Sequence, residues 1–108
     1  MQYKIIGKGG QGILFLSKVI GEALLFQNIV DFTFLKEFDE GQRFGEIKVT
    51  FNLPLNLKNR ELIVKENNIV ELKKIARYLG LNKNNIEKAL KKVKPEFFQK
   101  NLEIWQKK

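Results

Sequence analysis

The segment Gly7-Lys8-Gly9-Gly10-Gln11-Gly12 holds the residue types and spacing best suited to binding chemistry in this sequence. Glycines reach backbone dihedrals closed to other residues and let a ligand come close to the main chain. A helix that opens directly after such a turn presents free N–H groups, which favour an anion such as phosphate, and Lys8 would add charge. Gly7, Gly9 and Gly12 also satisfy the Gly-x-Gly-x-x-Gly spacing of a dinucleotide turn. That motif needs an acidic residue about twenty positions on, at the end of the next strand, and Asp31 and Glu37 are poorly placed for the task. The chain also offers little sheet for a whole dinucleotide. Two readings of the turn stay open: a tight bend that only packs strand against helix, and a contact to an anion or the edge of a cofactor.

A second cluster lies at Asp39, Glu40 and Arg43. Glu40 and Arg43 either pair with each other to fix a loop or contact a ligand or another subunit. Asp39 and Glu40 are adjacent carboxylates, but nothing positions a substrate between them, so they read as solvated loop charges.

Other chemistries are excluded by composition. The 108 residues contain no cysteine and no histidine. Disulfides, Cys-ligated zinc, iron–sulfur clusters held by this chain, His-based triads and His general bases are therefore ruled out. If the protein serves redox chemistry, another chain carries the redox centre. The glycines at positions 7, 9 and 10 interrupt the first apolar run too early for a secretory signal. Residues Ile13 to Phe26, which include Ser17, Lys18, Gly21 and Glu22, are too short and polar to span a bilayer. A cytoplasmic protein is expected. Abundant Lys, Glu and Ile also fits a thermophile.

The elements that must position the turn follow from hydrophobic periodicity. Tyr3 to Ile6 reads as a buried strand. A helix from about Gln11 to Phe26 is apolar around most of its circumference and so is buried on more than one side, with Asn28 as its C-terminal cap. Ile29 to Leu35 reads as a second strand with Val30, Phe32 and Phe34 on one face, and Lys36 to Gly45 as a charged loop. Glu46 to Phe51 alternates as a third strand, closed by Pro54. Leu62-Ile63-Val64 offers a short further strand. Helices follow: one with Ile69, Leu72, Ile75, Ala76 and Leu79 stopped by Gly80, one capped by Asn82 or Asn84, and one started at Pro95 with Phe98, Asn101, Leu102 and Trp105 aligned. The expectation is a single α/β domain over 1–108. It has a small Rossmann-like β–α–β core with a short mixed sheet (1–54) and C-terminal helices (68–108). Its first crossover runs right-handed from Tyr3 to Leu35.

The net charge of +8 resides wholly in the second half: residues 1–54 hold six basic and six acidic side chains, residues 55–108 fourteen and six. A solvated lysine-rich surface is the simplest reading. Ala76-x3-Gly80-x5-Ile86 has helix-turn-helix spacing, which would turn Asn82, Lys83, Asn84, Glu87 and Lys88 toward DNA. With only three arginines (Arg43, Arg60, Arg77), sequence readout of nucleic acid is disfavoured. Trp105 with Phe97 and Phe98 reads as core or as an anchor against a partner, either a second copy or a larger complex.

Ile5-Ile6-Gly7-Lys8-Gly9-Gly10-Gln11-Gly12-Ile13-Leu14 resembles the opening of the gamma subunit, or gamma domain, of 2-oxoacid:ferredoxin oxidoreductases, as does the helix with Ser17-Lys18 and Gly21-Glu22-Ala23. Glu40-Gly41-Gln42-Arg43-Phe44-Gly45 resembles that family's Glu-x-Arg-Gly-Gly segment, with Phe44 in place of the first glycine. Asn68-Ile69-Val70, Leu79-Gly80-Leu81 and Phe98 to Trp105 resemble its closing helices more loosely. The resemblance implies a shortened gamma piece without the family's central strands and helices. It implies a non-catalytic role in a complex that decarboxylates a 2-oxoacid to acyl-CoA and reduces ferredoxin. It places thiamine diphosphate and iron–sulfur clusters on other subunits, with the gamma piece on the coenzyme A side. Its contact positions would be Gly9, Gly10, Gln11, Gly12, Glu40 and Arg43, with no cofactor bound by this chain alone.

Overall fold

The structure, a computed structural model, describes residues 1–38 and 45–107. The chain runs β1 (Gln2–Lys8), α1 (Ile13–Phe26), β2 (Thr33–Phe38), β3 (Glu46–Asn52), β4 (Arg60–Ile63), α2 (Asn68–Leu79), α3 (Lys83–Val93), a 3-10 turn (Pro95–Phe97) and α4 (Phe98–Gln106). The strands form one mixed sheet in the order β2-β3-β1-β4. β1 is antiparallel to β3 and parallel to β4, and β2 is antiparallel to β3.

Side-chain alternation gives the sheet one covered face. Tyr3 and Ile5 of β1 sit opposite Phe51 and Val49 of β3, and all four are buried. The core between this face and the helices is completed by Leu16, Val19, Ile20, Ala23 and Leu24 of α1, Leu72 and Ile75 of α2, and Ile86 and Leu90 of α3. α1 packs on the sheet and also against α2 and α3, which accounts for its nearly all-round apolar surface. Its buried Ser17 hydroxyl donates to the Ile13 carbonyl at 2.8 Å. Phe98, Ile104 and Trp105 lie half-buried against the core, while Phe97 is exposed.

Local capping chemistry fixes the helix ends. α1 closes with Asn28 at φ 62°, where the Asn28 N–H donates to Leu25 and the Ile29 N–H to Leu24, the paired bonds of a Schellman end. The Asn67 side chain caps α2 by accepting from the Ile69 N–H at 2.8 Å, and Gly80, at φ 71°, ends that helix. Of the two expected caps for α3 it is Asn82 that acts, accepting from the Asn84 N–H at 2.8 Å.

The sheet departs from expectation in three ways. β1 and β2 run in the same direction, but β3 lies between them, so the first β–α–β crossover is split rather than continuous. β2 begins at Thr33 and reaches Phe38, so Lys36 and Glu37 belong to a strand rather than to a loop. The register against β3 sets this: Phe34 pairs with Phe51 and Phe38 with Ile47, leaving Val30 outside, 71% exposed. An edge strand tolerates such charges because neither face need be dry. Finally, β4 starts at Arg60, although the Val64 N–H still donates to the Ile6 carbonyl at 2.8 Å.

Candidate functional site: the glycine-rich turn

The turn between β1 and α1 is braced from within. Gly7 faces the core, and a Cβ there would lie 2.4 Å from Ile13 Cδ1. This position takes glycine because the first side chain of α1 fills its space. The Gln11 side chain then folds back. Its Oε1 accepts from the Lys8 N–H at 2.6 Å, and its Nε2 reaches the Val64 carbonyl at 3.5 Å. One carboxamide thus ties the end of β1 to the chain leaving β4. The Gly9 N–H donates to the Gly45 carbonyl at 3.1 Å, and the Gln11 N–H to the Lys8 carbonyl at 3.1 Å.

Gly10 and Gly12 carry the left-handed dihedrals, at φ +91° and +73°. Their surroundings differ. Nothing stands within 4 Å of a Cβ built at Gly10, whereas one at Gly12 would meet the Asn68 carboxamide at 2.4 Å. The close approach that Gly12 permits is therefore made by the first residue of α2. Gly12 also starts α1 without a side-chain cap, and the first turn holds no acidic residue, so its partial positive charge is uncompensated locally. The chemistry available is contact with an anion over exposed Gly10 and half-buried Gly9, beside exposed Lys8. Among the sequence-predicted positions, Gly9, Gly10, Gln11 and Gly12 come together here. Glu40 and Arg43 lie outside the described residues.

Replacing Gln11 by alanine leaves the Lys8 N–H without its acceptor and unties Val64. The expected loss is about 1 kcal/mol, with amide hydrogen exchange accelerated at Lys8 and in the segment after Val64 but unchanged in α3. Uniform acceleration across the chain would show that the brace is not local.

A cluster that periodicity did not reveal lies at the other end of β1. Arg60 of β4 is the register partner of Tyr3, and its guanidinium sits 4.5 Å from the centre of the Tyr78 ring. The Tyr78 hydroxyl donates to the Lys58 carbonyl at 2.7 Å. Buried Glu71 accepts from the Lys65 N–H at 3.1 Å and pairs with Lys74 at 2.8 Å. Hydrogen bonds that the Lys74 ammonium donates to Glu71 and Glu66 raise its pKa above the usual lysine value. Burial raises that of the Tyr3 phenol, partly offset by Arg60, so the ring is neutral at physiological pH. The available sequence signal was the 74/77/78 spacing, which puts Lys74, Arg77 and Tyr78 on one helix face; Arg60 and Tyr3 join them only through the sheet.

The residues with helix-turn-helix spacing do not form one free face. Glu87 accepts from Gln106 of α4 at 3.2 Å, and the Lys88 ammonium lies 5.9 Å from the Phe26 ring centre. Among the described residues, no cluster of His, Cys, Asp or Glu could hold a metal ion, and no helix is long and apolar enough to cross a membrane.

The backbone is similar to a solved structure described as the gamma subunit of keto/oxoacid ferredoxin oxidoreductase from Geobacter sulfurreducens PCA. The TM-score is 0.66 at 16% sequence identity, over 97% of this chain and 94% of that one. At this identity the likeness is one of fold. No family model matches the chain, and neither does any curated protein.

Proposed function

We propose that this chain is a non-catalytic, gamma-like accessory subunit of a 2-oxoacid:ferredoxin oxidoreductase, supporting the conversion of a 2-oxoacid to acyl-CoA by partner subunits. The observation that carries the reading is the shared fold over nearly the whole of both chains. The Gly-x-Gly-Gly-Gln-Gly run, which resembles the family's opening, occupies the strand–turn–helix junction of that fold. The absence of cysteine and histidine from the sequence agrees with a division of labour in which thiamine diphosphate and iron–sulfur clusters belong to other subunits.

In this reading the turn at Gly9, Gly10, Gln11 and Gly12, together with Glu40 and Arg43, meets a partner subunit or the phosphates of coenzyme A in the cytoplasm. Gln11 holds the turn in shape rather than reacting. The test is affinity purification of the tagged chain from its own cells after nuclease treatment. Subunits carrying thiamine diphosphate and iron–sulfur clusters are expected with it; recovery of nucleic acid alone would shift the assignment to the basic helices.

A further inference from the structure

A second set of groups suited to binding lies far from the glycine turn. Tyr3 and Arg60 stand at the opposite end of β1 from Lys8, about 17 Å along the strand. Between β4 and α2 is a cavity of about 520 Å³ lined by Tyr3, Arg60, Glu61, Leu62, Lys74, Arg77 and Tyr78. That volume falls within the range of small-ligand sites. Lys74 is engaged by Glu66 and Glu71. Among the described residues, neither Arg60 nor Arg77 forms an ion pair. Arg77 also lines an adjoining hollow of about 360 Å³ with Lys73, Lys83 and Lys107 and, among the described residues, no acidic side chain. The cleft thus brings three cationic side chains together against one carboxylate, Glu61, and among the described residues its two guanidinium groups have no carboxylate partner.

The Arg60 guanidinium is also held in place in advance. It stacks on Tyr78, whose ring is fixed by its bond to Lys58 and by Tyr3, 5.9 Å away between centroids. Stacking on one face leaves the in-plane N–H fork of the guanidinium available for paired bonds to oxygen. We propose that the cleft between β4 and α2 binds a small oxyanionic ligand, a phosphate ester or a carboxylate, held by the guanidinium groups of Arg60 and Arg77 between aromatic walls. This site is independent of the subunit assignment and of the glycine turn.

The test is an NMR titration of the whole chain at constant ionic strength, following the Arg Nε–H resonances. Sodium pyrophosphate is the probe in one arm and sodium malonate in the other, and the tighter of the two identifies the ligand class. Saturable shifts confined to Arg60, Arg77 and the β4–α2 segment are expected. Arg60→Gln and Arg77→Gln should each weaken binding about tenfold. Arg60→Lys should also weaken it, because charge remains but the fork is lost. Both arginines are exposed, so these variants should fold, as circular dichroism would check. The double variant Lys88→Gln/Lys91→Gln removes charge on α3 and should bind like the unaltered chain. Absence of saturation with both probes would overturn the proposal. So would equal losses in the arginine and lysine variants, or an oligonucleotide that binds with that same indifference, since either would mark a diffuse cationic surface.

Discussion

Phe51→Ala should destabilise the chain by about 3–5 kcal/mol, the usual cost of truncating a buried phenylalanine. The ring is 1% exposed and stands on the covered face of β3, an internal strand of the sheet. Its cross-strand neighbours are Tyr3 on β1 and Phe34 on β2. The Phe32 and Phe34 rings approach it to 6.3 and 5.6 Å between centroids, so half-buried Phe32 and exposed Phe34 lose their inner support along with it. Urea unfolding should show a lower midpoint with little change in slope. Phe34→Ala provides the comparison: that ring is 48% exposed, and its removal should cost about 1 kcal/mol. Equal effects at the two sites would mean that β2 is packed as tightly as β3, contrary to the fold described.

Gly7→Ala should cost about 2–3 kcal/mol although it adds one methyl group. The added carbon would lie 2.4 Å from Ile13 Cδ1, 2.8 Å from Gln11 Oε1 and 2.9 Å from Ile13 Cγ1. The Ile13 side chain is 1% exposed and enclosed by core, so it has nowhere to retreat. Displacing Gln11 would break the bond to Lys8 that shapes the turn. The variant should therefore disturb both the core and the candidate site. Ile13→Val removes the nearest atom, so a double-mutant cycle should show coupling: in the valine background the alanine should cost about 1 kcal/mol less. Additive effects would show that the clash lies elsewhere. Gly10→Ala meets no atom within 4 Å and should cost only the strain of its positive φ, about 1–2 kcal/mol.

What the sequence revealed of this fold was the part determined locally. The helices from residue 68 onward show apolar residues at three- and four-residue spacing, with Gly80, Asn82 and Pro95 at their ends, and these signals act within one or two turns. The strand–turn–helix at the glycine run was legible for the same reason. The order of the strands was not, because inserting β3 between β1 and β2 satisfies backbone bonds far apart in sequence. The position of β2 was hidden as well: Lys36-Glu37 reads as loop until pairing with β3 and an edge location make it a strand.

At the candidate site the same division holds. Glycines were predicted where the chain bends, but the partners that explain them, Val64 for Gln11 and Asn68 for Gly12, arrive from β4 and α2. The cationic cleft was still less visible, since its two guanidinium groups are on different elements and its aromatic walls come from opposite halves of the chain.

The subunit assignment rests on assembly, so the most direct measurement is the composition of the complex that the tagged chain brings down from its own cells, weighed intact by native mass spectrometry after nuclease treatment. The expected result is a single species in which this chain occurs in fixed ratio with subunits carrying thiamine diphosphate and iron–sulfur clusters. A chain recovered by itself, as a monomer or in copies of itself, from cells in which that oxidoreductase is present and intact would contradict it.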